Sequence, residues 1–418
     1  QKIVIHIIMN RVFLLIAISF SLHSKAQPYV KGGKTRHRFA QLNVGFDFRT
    51  FSASGTHSGL INTLGVLESY KLKEHSQFRF IIGGTHFWGQ ADFYISVPIF
   101  SLQKSEFNTG VETGAKYFPW RLEHNKIRPY LGVSLLSTQF KQDDGATALR
   151  FKYPVLAGLN YCRKNQLVEL GCGFVLNNSE NYFVSTTSSM KIRTNQFWFS
   201  LGYKLMFETS LSAERDWQSG RTKWLTDTLS SLNKLDGFVF STGFSSVFFL
   251  ESSEHNTFSL PFIDNHKSTV FPEFGIGYYF HKPDLQFNLI YRSIKSEINA
   301  YGFSQIAKRK ALTFEAYKFL FDFNGFAFFA GGALSSEKLT VSEMNQYHFS
   351  VVNSFIGMRP GITFGWDIRP NRLQAFYLRT TLRYFPELNV KMYDGYNFSF
   401  DQLEFNFIQL VLFPGRLF

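Results

Sequence analysis

Long apolar runs are nearly missing from this chain. The best candidate, Val12 to Phe20, is too short to cross a bilayer as a helix. Segments with the 3.6-residue period of a soluble core helix are scarce as well. Cysteine occurs only at Cys162 and Cys172, which excludes a disulfide scaffold and a zinc cluster. If residues 163–166 turn a hairpin, Cys172 stands opposite about residue 157, out of bridging reach of Cys162. Gly-rich phosphate loops, an HExxH pair and paired CxxC motifs are absent, and no cofactor is expected. His86, His281 and His348 fall near strand ends, with Ser96, Ser200 and Ser350 at similar heights. Spacing places no serine within the hydrogen-bond reach that general-base activation needs, so no enzymatic role is expected. The net charge of +13 is scattered through the chain without a basic block, which excludes nucleic acid as a partner.

What the chain has is aromatic residues, at 18%, including 50 phenylalanines, with a mean hydropathy of only −0.10. That pairing suits strands with one greasy face and one polar face. Gln196 to Phe207 is the clearest case. Phe197, Phe199, Leu201, Tyr203, Leu205 and Phe207 point one way, and Gln196, Ser200, Gly202 and Lys204 the other. The same reading gives sixteen strands, near 39–49, 77–88, 90–99, 107–118, 127–140, 149–161, 167–177, 196–207, 237–250, 271–281, 284–295, 311–321, 325–333, 359–369, 373–384 and 403–413. Fourteen is the alternative if two short pairs merge.

The expected fold is all-β: one transmembrane antiparallel barrel over 39–418, closed by pairing of 39–49 with 403–413. Short turns near 88–90, 162–166, 280–284, 322–325 and 369–372 alternate with longer polar segments near 50–76, 178–195, 251–270, 296–310, 334–358 and 385–402. Such parity follows if one rim faces the periplasm and the other the outside. Residues 208–236 break it, being long where a short turn is due. They read as a periplasmic excursion with a short amphipathic helix, whose contact candidates are Trp217, Trp224 and Leu225. Gly83–Gly84 and Gly331–Gly332 read as bends or bulges.

Strand parity turns a set of ionisable residues inward, where they escape the cost of facing lipid. The acids are Asp47, Glu112, Glu169, Glu273, Glu315, Asp367 and Glu404. The bases are Arg49, Lys116, Lys204, Arg292, Arg379 and Arg383. Mixed signs suit mutual neutralisation, or a porin-like lumen for small solutes without strong ion preference. The rival expectation is a non-conducting accessory barrel of a multi-protein outer-membrane complex, docking through 208–236.

Residues 9–26 read as a signal peptide: Asn10 and Arg11, then the apolar stretch, then Ser24-Lys25-Ala26. Residues 27–38 read as a periplasmic leader. No cysteine follows the cleavage point closely enough for a lipid anchor. Phe418 ends the last strand. The Ala26–Gln27 junction followed by an aromatic-rich barrel resembles the outer-membrane proteins of Bacteroidota, and a terminal aromatic resembles the signal read by the barrel-assembly machinery. The resemblance selects no transporter family. It implies the outer membrane of a Gram-negative bacterium, with membrane lipid, lipopolysaccharide and the assembly machinery as partners. A leader this short departs from the TonB-dependent receptors, whose globular plug it could not form.

Overall fold

The computed structural model of the chain describes residues 40–416 except 53–55, 62–66, 72–73, 104, 142–144, 209–219, 250–252, 264–265, 267–268, 324–325, 346–349, 370–372 and 374. The signal peptide, the leader, Trp217 and Phe418 lie outside the described residues.

Eight strands build a first closed barrel: β1 (Ala40–Phe51), β2 (His75–His86), β3 (Ala91–Ser101), β4 (Phe107–Tyr117), β5 (Ile127–Lys141), β6 (Val155–Arg163), β7 (Gln166–Phe174) and β8 (Phe197–Glu208). Each pairs antiparallel with its sequence neighbour. β8 then returns to β1, with Gln41 opposite Glu208 and Phe51 opposite Trp198. Eight more strands build a second: β9 (Gly237–Phe249), β10 (Thr269–Phe280), β11 (Leu285–Ala300), β12 (Phe303–Phe323), β13 (Phe326–Met344), β14 (Ser350–Ile368), β15 (Phe376–Lys391) and β16 (Asn397–Leu412). Here β16 returns to β9, with Phe240 opposite Leu412 and Phe249 opposite Gln402.

The expectation of one barrel is therefore overturned, in its sixteen-strand form and its fourteen-strand form alike. Each of the sixteen segments read from the sequence overlaps a wall strand, but β1 takes β8 as its partner and leaves 403–413 to β9. The physical reason lies in parity. A barrel with an even number of strands starts and ends at the same rim, so a second barrel can begin where the first stops. Two rings of eight and one ring of sixteen give the same alternation of turns and loops. Residues 208–236, with helix α1 (Gly220–Ser231), are the connection between the two barrels.

Several long connections shrink as well. β11 and β12 run on past the expected ends and meet at a two-residue turn, Tyr301 (φ 51°) and Gly302 (φ 72°). Two consecutive positive φ values are the geometry that matches hairpin twist, and glycine takes the second at little cost. The glycine pairs also differ from expectation, because Gly83, Gly84, Gly331 and Gly332 sit in unbroken register. A Cβ on Gly331 would fall on the Ala316 carbonyl, so glycine here allows close strand approach. Cys172 stands opposite Ala157, as the hairpin spacing implies, and the Cys162 thiol lies 3.8 Å from the Met206 sulfur.

The barrels touch at both rims. At the short-turn rim Phe87 packs on Phe326 at 5.3 Å and Phe93 on Trp366 at 5.8 Å. At the other, Phe107, Phe140 and Tyr182 share a core with Phe262, Ile263 and Ile298. That rim also carries helix α2 (Glu254–Phe258), capped by the Ser253 hydroxyl, which accepts from the Asn256 amide. Capping satisfies one of the helix's free N–H groups.

Closure as two rings predicts which strands cross-link. With Cys162 and Cys172 replaced by alanine, Phe48→Cys with Leu201→Cys should couple efficiently through a short bismaleimide in the folded protein. Phe48→Cys with Leu410→Cys should not. Gel mobility after denaturation reads both, and coupling of the second pair would restore the single ring.

Candidate functional site

An eight-stranded ring leaves an interior that side chains alone can fill. In the first barrel, inward parity brings together four cations and four carboxylates: Arg49, Arg79, Lys116 and Lys204 with Asp47, Asp92, Glu112 and Glu169, all buried. Arg49 lies 2.5 Å from Asp47 and also pairs with Glu112. Tyr94 and Ser134 donate to Glu112 at 2.9 and 2.6 Å. Glu169 takes Lys116 at 2.5 Å, Lys204 at 3.0 Å and the Tyr130 hydroxyl at 2.9 Å. Arg79 is held by the Ser96 and Thr109 hydroxyls and by the Ser96 and Gly110 carbonyls.

The second interior is layered. Toward the short-turn rim Tyr279, Tyr317, Phe319, Phe329, Tyr377 and Phe413 form an aromatic layer. Above it stand five arginines and five carboxylates: Arg292, Arg309, Arg359, Arg379 and Arg383 with Glu273, Glu315, Glu337, Asp367 and Glu404. Arg383 grips Glu273 with two nitrogens at 2.7 and 2.8 Å and reaches Glu315 with its third. Arg379 does the same to Asp367, at 2.6 and 2.7 Å. Glu404 is shared by Arg292 and Arg309, and Glu337 by Arg309 and Arg359. Forked pairing of this kind fixes geometry as well as charge. An apolar layer of Val247, Phe249, Leu339, Leu388 and Phe400 closes over it.

At the long-connection rim α2 stoppers the second barrel. The buried His255 places Nε2 2.8 Å from Glu343 and Nδ1 2.6 Å from Asp394. Ser259 also donates to Asp394, and Gln305 donates to Glu343 at 2.7 Å. With a carboxylate on each ring nitrogen, only the imidazolium satisfies both. Burial opposes that charge, but the hydrogen bonds and charges of Glu343 and Asp394 outweigh it and hold the His255 pKa above its ordinary value.

All thirteen lumen candidates from the sequence are buried inside a barrel: Asp47, Arg49, Glu112, Lys116, Glu169 and Lys204 in the first, and Glu273, Arg292, Glu315, Asp367, Arg379, Arg383 and Glu404 in the second. Arg379 and Arg383 do not form a free basic stripe, since each is consumed by carboxylates. Sequence reasoning missed Arg79 and Asp92, although parity inside 77–88 and 90–99 would have found both. It also missed Arg309 and Glu337, which lie in stretches of polar strand read as loops. Trp224 and Leu225 lie on α1 and are exposed. Among the described residues no cluster of three or more His, Cys, Asp or Glu could hold a metal ion.

No protein family matches the sequence, and no curated protein matches it. Among solved structures, the chain is similar to Ail, the attachment invasion locus protein of Yersinia pestis, at 11% identity and TM-score 0.27, covering 43% of this chain and 96% of that one. Neisserial surface protein A gives 12% and 0.26, with coverage of 42% and 94%. An outer membrane channel from Pseudomonas putida F1 gives 8% and 0.21, with coverage of 92% and 99%. The strand register, not these likenesses, carries the barrel assignment.

Two outcomes follow from the interior. Arg383→Met leaves Glu273 and Glu315 buried beside too little positive charge and should cost about 3–5 kcal/mol in urea unfolding of the micelle-bound protein. For His255, a raised folded value means stabilisation fully present below the free-histidine value of about 6.5 and lost as pH rises through the folded value. Hydrogen exchange at 254–258 should therefore be slower at pH 5.5 than at pH 8.5 beyond the intrinsic rate change. His255→Gln should erase that difference.

Proposed function

We propose that this chain is an outer-membrane protein of the channel-type β-barrel class whose two barrels stand closed, and that it works as a non-conducting accessory barrel through its walls and rims. The observation that carries this reading is the filled, charge-matched interior of each ring. Passage of a hydrated solute would require breaking several buried ion pairs at once, each costing kcal/mol to separate.

The outer surface supports the membrane part of the reading. Phe199, Leu201, Leu170 and Leu131 on the first barrel are exposed, as are Phe274, Ile276, Phe314 and Ile362 on the second. Apolar surface this extensive would associate in water but suits contact with acyl chains. The expected partners are outer-membrane lipid and lipopolysaccharide, the assembly machinery during biogenesis, and an envelope protein docking on 208–236, where Trp224 and Leu225 lie exposed. The link leaves and enters at the short-turn rim, which in such barrels is the periplasmic one.

A second reading, gated passage of small solutes through the second barrel, is favoured by one feature: its stopper α2 belongs to a connection, not to the wall. Planar-bilayer recording separates the two. The accessory reading expects no conductance steps at pH 7 across ±100 mV; reproducible single-channel current, enlarged by His255→Ala, would overturn it in favour of the gated one.

A further inference from the structure

The outer wall of β11, β12 and β13 can be read in rows, because the register pairs its outward residues across the three strands. Starting near the short-turn rim, the rows are Phe287–Ala316–Gly332, Leu289–Phe314–Leu334 and Tyr291–Leu312–Ser336. The next two change character abruptly: Ser293–Lys310–Lys338 and Lys295–Lys308–Thr340. Four exposed lysines thus sit on three adjacent strands immediately above the apolar band.

Their pairing is unusual. Lys310 stands directly opposite Lys338, and Lys308 directly opposite Lys295. Like charges opposite one another destabilise a sheet. Among the described residues Lys308, Lys310 and Lys338 make no ion pair, while Lys295 has Glu297 at 2.9 Å. Glu297, one row higher, is the outward carboxylate these strands offer, and one acid does not neutralise four bases. With the interiors charge-matched, the two rows form an unbalanced positive surface at a fixed height.

We infer that these four lysines, with the Ser293 and Thr340 hydroxyls, form a binding site for the phosphate groups of a lipid headgroup in the outer leaflet. The rows below would hold the lipid's acyl chains against Leu289, Phe314, Tyr291 and Leu312. The height then places an anion where the wall turns from apolar to basic. A phosphate bridging Lys310 and Lys338 converts a repulsive cross-strand pair into two charge-assisted contacts. The side follows from the long-connection rim, which in such barrels faces outward. This inference rests on the outer-membrane reading proposed above.

The test compares two ligands on the full chain in zwitterionic micelles, read by native mass spectrometry: a bis-phosphorylated glucosamine lipid and the same lipid with its phosphates removed. The parent protein should retain the phosphorylated form at least tenfold more tightly. Lys310→Gln with Lys338→Gln should bring the two within twofold, whereas Lys310→Arg with Lys338→Arg should keep the preference. Lys126→Gln with Lys164→Gln, an equal charge change elsewhere, should leave it intact. Equal retention of both lipids by the parent, an unchanged preference in the first double variant, or its loss in the control pair would each overturn the site. Full displacement by millimolar inorganic phosphate would make it a free-anion site and overturn the lipid assignment. Insertion of the parent into phosphatidylcholine vesicles reads the membrane assignment by itself. Insertion without phosphate preference sinks the site alone, and failure to insert sinks both.

Discussion

The constraint on which the structure depends is charge neutrality inside a ring narrow enough for its own side chains to fill. A buried ion left without a partner costs several kcal/mol, so every inward charge must find its opposite within reach. Both barrels carry equal numbers of each sign, and of the interior charges described above all but Arg79, which hydroxyls and carbonyls hold, sit in ion pairs. Such pairs add little net stability over well-packed apolar residues, but they discriminate strongly among registers. Slipping any strand by one residue would turn its charges to the outer face and leave partners stranded. Arg383 illustrates the point: β10 and β12 must both present a glutamate to it, so three strands are fixed by one side chain.

The same contacts explain two rings in place of one. Several reach across the interior between strands that are not neighbours: Arg49 on β1 to Glu112 on β4, Lys116 on β4 to Glu169 on β7, Arg292 on β11 to Glu404 on β16, and Arg383 on β15 to Glu315 on β12. An arginine or lysine can span only a narrow ring. In a sixteen-stranded ring the lumen becomes an aqueous channel, and these partners would be separated by water. The described interior ion pairs all close within one barrel, so the chain contains two self-sufficient electrostatic units joined through 208–236.

This shows what could be read from the residues and what could not. Strand positions were legible because phenylalanine and leucine alternate with polar residues wherever the wall meets an apolar medium. Inward ionisable residues followed from the same alternation. Ring closure was invisible, since neither period nor parity differs between one even barrel and two. The connection at 208–236 is the one trace of the break, and from its length alone it reads equally as an excursion. Strand ends were lost where the outer medium changes. Beyond Tyr291 the outward residues are Ser293, Lys295, Glu297 and Asn299, so the apolar signal stops although pairing continues to Ala300. His255 was missed for another reason: its partners Glu343 and Asp394 are 88 and 139 residues away.

The two barrels also divide the wall unequally. β1 to β8 run 9–15 residues, whereas β11 to β14 run 16–21. At ~3.3 Å per residue and a tilt near 40°, the shorter strands rise about 23–38 Å, close to or above an apolar band of about 25 Å, while the longer ones project well past it. Extra wall needs its own closure, and the second barrel supplies it with an apolar layer under a polar stopper. The projecting part carries polar residues on its outer face and meets the first barrel's rim around Tyr182, whose ring packs on Phe140 at 4.7 Å, and Tyr301, whose hydroxyl donates to the Phe183 carbonyl at 2.9 Å. A shared rim core of this kind resists independent tilting of the rings. Contact at both rims and the covalent link through 208–236 make the pair a single platform, whose interior carboxylates are already engaged by its own cations.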